Sequence, residues 1–247
     1  EMVYGEVTEP DDIAKAVEGC DIVVHCAYGN SGTGEIRREV NVQGTRNVVE
    51  ACLRAGVKRI VHLSTVQVYG HLADGDLNET APRRYFGDDY SDSKLDAEQF
   101  VSEYIRKHSL PAVVVQPTVV YGPYSRIWTT QVLASLQRER HILVNNGEGL
   151  CNAVYIDDLA DAICLAAVQE EAVGESFLIS GEEPVTWRDF YGSYERMLGI
   201  SSTVNMSTAE AEAYNLKQRN NRRRRSIFKE PWRILREDWT VRSRLLE

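Results

Sequence analysis

Short apolar runs alternate with longer helical patterns along much of this chain of 247 residues, and no other feature constrains its fold as strongly. The runs Asp21–Cys26, Arg59–Ser64 and Ala112–Gln116 are rich in apolar residues, mostly valine and isoleucine, and predict buried strands. Helical patterns over Ile36–Ala55 and Tyr90–His108 separate these strands. Buried strands that alternate with helices indicate a parallel sheet with both faces covered. The predicted fold class is therefore α/β, with a doubly wound parallel sheet.

Beyond Pro123 the predicted elements become shorter and more varied. A helix, a strand, a second helix, a second strand and a Thr-x-x-Asp capping box are predicted at 129–138, 141–144, 157–167, 176–179 and 186–189. We therefore predict a first domain over residues 1–123 and a smaller lobe over residues 124–247 that packs over the carboxyl edge of the sheet. Some segments of the lobe are expected to return to the first domain.

Composition and charge exclude several classes of protein. The net charge of −9 argues against nucleic acid as the main partner. No apolar run approaches the roughly 20 residues of a membrane span. Five cysteines without C-x-x-C spacing predict reduced thiols in a cytoplasmic protein, and five scattered histidines predict no metal site. The basic run Arg222–Arg225 stays open between an exposed loop face and a clamp for a phosphate group of a ligand.

Tyr90 and Lys94 are four residues apart in a predicted helix, so they would share one face of it. A lysine ammonium beside a phenol favours the phenolate and lowers the tyrosine pKa from about 10. Thr65 follows a predicted strand, which places its hydroxyl at the carboxyl edge of the sheet, where such sheets bind ligands. The spacing alone also fits an ordinary exposed helix face. Together with Thr65, it favours a site that exchanges a proton with an alcohol or a ketone.

Several further segments, in chain order, resemble the motifs of one family. They are Gly5–Val7, Val24–Ala27, Asn41–Thr45, Ser64–Gly70, Tyr90–Lys94, Gln116–Pro123 and Ala153–Leu159. The sequence resembles the extended short-chain dehydrogenase/reductase family, also described as NAD-dependent epimerases/dehydratases. The resemblance runs from Gly5 to about Leu198. It implies a dinucleotide-binding domain at residues 1–123 and a substrate-binding lobe after it.

The resemblance also implies an enzyme, and a role for each matching residue. Tyr90 would be the acid/base, Lys94 would lower its pKa and bind the nicotinamide ribose, and Thr65 would orient the substrate oxygen. The residues implied to bind the cofactor, NAD or NADP, are Glu6, Val7, Cys26, Ala27, Asn41, Ser64, Tyr90, Lys94 and Pro117. The residues implied to bind substrate are Thr65, Val119 and Arg126. The alternatives are a helix N-cap for Asn41 and ordinary surface positions for Glu6 and Arg126.

The glycine-rich turn that opens this family, and that holds the pyrophosphate at a helix N-terminus, is absent from the 247 residues. The first residues correspond to about the third strand of the usual layout. We therefore expect an N-terminally incomplete Rossmann-like sheet, and a chain that is a fragment or an incompletely recorded protein. If Glu1 were the true start, the sheet would lack two strands and dinucleotide affinity would be poor.

Two further departures bear on the substrate. Val66 and Gln67 stand where the sugar 4,6-dehydratases of the family carry an Asp-Glu pair, which disfavours elimination of water. Val119 replaces an asparagine that touches substrate in many nucleotide-sugar epimerases, and Gln116 replaces the usual arginine. Both replacements weaken a nucleotide-sugar interpretation.

Three functions therefore stay open at this point. The first is an NAD(P)-dependent oxidoreductase or epimerase that acts at a secondary alcohol or ketone, with a nucleotide sugar as one substrate class. The second is a dehydrogenase or reductase of a hydrophobic alcohol or ketone, of the steroid or flavonoid type. The third is a non-catalytic member that senses a dinucleotide. A small-molecule substrate is the expected partner, and a homodimer is one expectation of the resemblance.

Overall fold

The computed structural model of the chain describes residues 2–29, 31–70, 75–138 and 141–217. Its strands are β1 (Ile22–His25), β2 (Arg59–Leu63), β3 (Ala112–Pro117), β4 (Val119–Tyr121), β5 (His141–Val144), β6 (Ala153–Tyr155), β7 (Ser176–Ile179) and β8 (Thr203–Met206). The named α-helices are α1 (Pro10–Val17), α2 (Gly34–Arg38), α3 (Gly44–Ala55), α4 (Asp89–His108), α5 (Gln131–Arg138), α6 (Ile156–Val168) and α7 (Trp187–Leu198). Each strand predicted from an apolar run is present, shortened at most by a residue or two.

Four of the strands form one parallel sheet in the order β1-β2-β3-β7. The register pairs His25 with His62 and Leu63 with Val115, so the carboxyl ends of β1, β2 and β3 meet at one edge. Helices connect these parallel strands, as the alternation in the sequence predicts. The α/β, Rossmann-like fold class is confirmed.

Each face of this sheet has its own apolar core, because successive side chains of a strand point to opposite faces. On one face Ile60 and Val114 pack with residues of α1, α3 and α4. On the other face Val61, Val113 and Val115 pack with α6. Burial on both faces explains why the strands read as continuous apolar runs.

The long helix predicted over Ile36–Ala55 is interrupted. It runs as α2, then as a π-helical segment over Glu39–Gln43, and then as α3. Gly56 ends it with a φ of 68°, in the left-handed region that favours glycine, so the C-cap prediction is confirmed. Short π-helical insertions are often found at functional sites, and this one contains Asn41.

The described residues belong to two units, which are treated separately. The first lies within residues 1–130 and 152–184, and the second within residues 131–151 and 185–247. The second unit contains the parallel pair β5–β8 and the helix α7, whose N-cap is Thr186. The Thr186 hydroxyl oxygen accepts a hydrogen bond from the Asp189 N–H at 3.1 Å, which confirms the helix start predicted there, and the Asp189 carboxylate accepts from the Thr186 hydroxyl at 2.6 Å. The sequence-based boundary at residue 123 stays a prediction.

Two general observations complete the fold. Among the residues that the structure describes, no helix has both the length and the apolar composition that crossing a membrane requires. Within those same residues, no group of three or more His, Cys, Asp or Glu side chains is arranged to hold a metal ion. Arg222–Arg225 and His71 lie outside the described residues.

Candidate active site

The helix α4 carries Tyr90 and Lys94 in its first two turns. Its N-cap is Asp88, whose carboxylate accepts hydrogen bonds from the N–H groups of Tyr90 and Ser91 at 2.9 and 3.0 Å. This cap fixes where the helix begins and hence where Tyr90 lies. Thr65 lies two residues after the end of β2. It is buried and is the N-cap of the short 3-10 helix Val66–Tyr69.

The structure brings Thr65 and Tyr90 close together, and the interaction between their side chains lowers the pKa of Tyr90. Tyr90 as a whole keeps 38% of its surface exposed, and burial around its hydroxyl is the largest influence on its pKa. The ring of Tyr28, from the loop after β1, lies edge-on to that of Tyr90 with a centroid separation of 6.3 Å. The hydroxyl groups of Thr65 and Tyr90 thus lie together at the carboxyl edge of the sheet, next to the loop that follows β1.

Lys94, one helical turn after Tyr90, is buried. Its ammonium donates a hydrogen bond to the Leu63 carbonyl at the end of β2, over 2.5 Å. Burial lowers the pKa of Lys94 to about 8, while the nearby Cys26 and Glu98 act in the opposite direction. Lys94 therefore ties the helix to the strand end in addition to facing the edge of the sheet.

The pKa of Tyr90 is raised above its usual value, and burial is the largest cause. The hydrogen bond with Thr65 lowers this pKa, whereas Tyr28 and Asp88 raise it further. The direction expected from the Tyr-x-x-x-Lys spacing is therefore wrong for this structure. The physical reason is that the Lys94 ammonium is bonded to a strand carbonyl, and desolvation of the phenolate outweighs the remaining favourable contributions.

The residues predicted to line a cofactor on the strand side lie at the same edge. Cys26 and Ala27 follow β1 directly and are exposed. Burial raises the pKa of the Cys26 thiol, and Lys94 opposes this effect. Pro117 ends β3 and is buried, and Val119 begins β4 half-buried.

Asn41 connects the loop after β1 to the helix α4. Its side-chain oxygen accepts the Gly29 N–H at 2.8 Å, and its side-chain nitrogen donates to the Ser93 hydroxyl at 2.8 Å. Asn41 is buried in the interior of the π-helical segment. The alternative interpretation of Asn41 as a helix N-cap is therefore wrong.

Glu6 and Val7 lie in a loop that is fastened to α3. The Asn47 side chain donates to the carbonyl oxygens of Val7 and Thr8 at 3.1 and 2.9 Å. The Val7 side chain packs where a Cβ on Gly44 would lie, 2.7 Å from that position, so this approach requires glycine. Glu6 is exposed, as is Arg126 at the start of a second π-helical segment, Arg126–Thr130.

Ser64 points away from the exposed edge, into a buried polar network. Its hydroxyl donates to Glu98 at 2.5 Å, and Glu98 also accepts from Arg83 at 3.0 Å and from Gln116 at 2.8 and 3.0 Å. Gln116 in turn accepts from the Tyr69 hydroxyl at 2.7 Å. Gln116 is fully buried, so the inference about substrate polarity that was based on Gln116 is wrong.

Neither Glu98 nor Arg83 is among the residues predicted from the sequence to belong to the site. A spacing signal existed for Glu98, because it lies four residues after Lys94 and eight after Tyr90 on the same helix face. Arg83 lies in an irregular segment, and no local pattern indicates its contact.

The positions of the dehydratase acids hold no carboxylate. Val66 and Gln67 begin the 3-10 helix, and the Gln67 N–H donates to the Thr65 hydroxyl oxygen at 3.3 Å. The Gln67 side-chain oxygen accepts from the Ser91 hydroxyl at 2.8 Å. This part of the site therefore offers an apolar group and amides.

Comparison with known proteins places this geometry in a family. The profile of the NAD dependent epimerase/dehydratase family matches residues 1–180. A 3beta-hydroxysteroid-dehydrogenase/decarboxylase of Arabidopsis thaliana is 26% identical over 204 residues, which are 77% of this chain and 36% of the relative. A 2-alkyl-3-oxoalkanoate reductase of Shewanella oneidensis is 30% identical over 200 residues, which are 75% of this chain and 52% of the relative.

A solved structure supports the same assignment. The dTDP-glucose 4,6-dehydratase DesIV of Streptomyces venezuelae, with NAD bound, is 26% identical with a TM-score of 0.72, over 82% of this chain and 66% of that one. The chain thus spans between about a third and two thirds of the length of these three proteins. With the profile matching well over half of its residues, the chain belongs to the NAD dependent epimerase/dehydratase family.

Proposed function

We propose that the protein is an NAD(P)-dependent oxidoreductase that acts at a secondary alcohol or ketone, with Thr65, Tyr90 and Lys94 as its catalytic residues. The observation that carries this proposal is the placement of three groups at one strand end: Thr65, which follows β2 and influences the pKa of Tyr90, Tyr90 itself in the first turn of α4, and the buried Lys94, which is bonded to the Leu63 carbonyl. Family membership supports it.

The residues at this edge suit a nicotinamide dinucleotide. The Lys94 ammonium has three N–H donors, of which the Leu63 carbonyl takes one, so donors remain for the hydroxyls of a ribose. Cys26 and Ala27 are exposed just after β1, which leaves room there for a flat ring or a sugar of the cofactor. Asn41 would act by holding the Gly29 loop, since its amide is bonded within the protein. When bound, the cofactor supplies or accepts the hydride.

The protein groups then handle the proton. The phenol of Tyr90 is protonated at neutral pH, as an ordinary tyrosine is, and its raised pKa keeps it so; it can therefore donate a proton to a carbonyl oxygen. Thr65 would share that oxygen and orient it, and the nearby Lys94 charge would stabilise the phenolate left behind.

The substrate class that we favour is a hydrophobic ketone or alcohol. Val119 presents a methyl surface in place of a hydrogen-bonding group, and Val66 and Gln67 provide no acid for elimination. The relatives named above include a hydroxysteroid dehydrogenase and an oxoalkanoate reductase. The likeness to a dTDP-glucose dehydratase keeps the nucleotide-sugar class as the second candidate.

Turnover by the full-length protein tests the mechanism. NADH and NADPH oxidation would be measured with a panel of steroid ketones, 3-oxoacyl compounds and UDP- and dTDP-sugars. Tyr90→Phe removes the proton donor and should lower kcat by about 10²- to 10⁴-fold. Tyr85→Phe is the matched control, because Tyr85 is exposed and bonds Asp96, and it should retain activity.

Equal activity of Tyr90→Phe and the unmodified protein would reject the assigned mechanism. Turnover or thermal stabilisation with nucleotide sugars, and with none of the hydrophobic ketones, would reject the favoured substrate class. Dinucleotide binding without turnover on any member of the panel would support the non-catalytic alternative.

A further inference from the structure

Three consecutive residues at the end of β2 each interact with one face of α4. The Leu63 carbonyl accepts a hydrogen bond from Lys94, the Ser64 hydroxyl donates to Glu98, and the Thr65 side chain lies close enough to Tyr90 to influence its pKa. On the helix these partners are spaced by four residues, which places all three on one face. Two of the contacts involve proposed catalytic residues, whereas the Ser64–Glu98 contact has no assigned purpose.

Glu98 has the features of a fixed anchor. Its side chain keeps only 3% of its surface exposed, and both carboxylate oxygens accept hydrogen bonds. Gln116 contacts both oxygens from β3, and Arg83 supplies the positive charge. The guanidinium of Arg83 also lies 5.1 Å from the centre of the Tyr69 ring. A buried carboxylate that accepts hydrogen bonds from three side chains is held in one position, and it fixes the positions of the groups that donate to it.

The Ser64 backbone is held from the other side as well. Its N–H donates to the Val115 carbonyl at 2.8 Å, as a continuation of the β2–β3 pairing. The side chain and the main chain of Ser64 are therefore both fixed, and the direction in which the chain leaves the strand is fixed with them. Thr65 is the next residue, and the direction of its hydroxyl depends on this exit.

We propose that Glu98 is a positioning residue: by holding Ser64, it keeps the Thr65 hydroxyl within hydrogen-bonding reach of Tyr90. Gln116 and Arg83 keep the carboxylate in place for this task. The inference deepens the proposed function and rests on it, since it concerns the same Thr65–Tyr90 pair. Glu98 does not contact substrate or cofactor in this scheme; it acts through Ser64.

Two variants test the link, with one control on the same helix. Ser64→Ala removes only the hydroxyl, and Glu98→Gln replaces the carboxylate with an amide that cannot accept from Gln116, Arg83 and Ser64 together. Glu103→Gln is the matched control, because Glu103 is exposed on α4 and pairs with Lys107. Each full-length variant would be assayed for ketone reduction with the best substrate of the panel.

We expect Ser64→Ala and Glu98→Gln each to lower kcat about tenfold, with KM for ketone and NAD(P)H changed less than about twofold. The double variant should be no slower than the slower single variant, because both remove the same contact. Glu103→Gln should match the unmodified enzyme. A structural role alone would lower the folded fraction and would leave kcat per folded molecule unchanged, which would overturn the proposal.

Hydrogen exchange separates this inference from the proposed function. Amides of residues 65–70 should exchange about tenfold faster in Ser64→Ala and Glu98→Gln than in the control. If the unmodified protein reduces no ketone, the proposed function is rejected. In that case the hydrogen exchange of the two variants still tests the role of Glu98, and an exchange rate equal to that of the control would overturn the link through Ser64. If Glu98→Gln does not fold, Ser64→Ala decides: a lower kcat supports the proposal and an unchanged kcat overturns it.

Discussion

At the scale of single residues, burial decides the chemistry of the site more than spacing does. Tyr90 and Lys94 share a helix face, yet the ammonium bonds the Leu63 carbonyl and the phenol pKa is raised. The pKa of Lys94 is lowered to about 8 for the same reason, since desolvation disfavours its charged form. The pair therefore rests with both groups protonated at neutral pH.

Asn41 provides a prediction at this scale. Asn41→Ala should lower the free energy of unfolding by about 1 to 3 kcal/mol, because it leaves the buried Gly29 N–H without its acceptor and removes the donor to the Ser93 hydroxyl. Gln43→Ala lies in the same π-helical segment at an exposed position and should cost less. Urea unfolding of both variants measures the difference, and equal losses would contradict the assigned role of Asn41.

At the scale of elements, the N-terminus of α4 is the part of the fold on which the site depends. Its N-cap, Asp88, lies two residues before Tyr90. The point at which the helix begins therefore also determines where the phenol lies relative to the edge of the sheet. Polar residues such as those around Asp88 are common in loops. Their sequence indicates where a helix begins, but it does not show which strand end the helix N-terminus faces.

Loss of the Asp88 N-cap should have a measurable effect on stability. Asp88→Ala should lower the free energy of unfolding by about 1 kcal/mol, since two N–H groups of the first turn lose their acceptor. Asp89→Ala is the control: Asp89 pairs with Arg37 at the surface, where an ion pair contributes at most about 1 kcal/mol and often less. Denaturant titrations compare the two, and a larger loss for Asp89→Ala would refute the capping argument.

At the scale of the whole molecule, two histidines are buried between the sheet and its helices. Burial lowers the pKa of His25 to about 4 and that of His62 well below 6.5. Within the described residues, neither ring nitrogen of His62 has a hydrogen-bond partner. A group whose pKa is lowered in the folded state binds more protons when unfolded, so stability is present above pH 6.5 and is lost on acidification.

His62→Leu should reduce this acid sensitivity. For His25, a pKa of about 4 in place of 6.5 corresponds to about 3 kcal/mol of stability lost between those pH values, and the lowered pKa of His62 acts in the same direction. Urea unfolding of His62→Leu between pH 7 and pH 4 should therefore show a shallower slope. His108→Gln, at an exposed position of α4, should keep the original slope, and an unchanged slope in His62→Leu would contradict the prediction.

The sequence alone determined the parallel sheet, its order of strands and helices, and the shared helix face of Tyr90 and Lys94. These features follow from periodicity, which is local and can be read from neighbouring residues. Only the tertiary structure decided that Lys94 bonds a strand carbonyl, that Gln116 belongs to the Glu98 network, and that the pKa of Tyr90 is raised. Those outcomes depend on burial and on contacts between segments far apart in the chain, because desolvation and hydrogen bonding are set by packing.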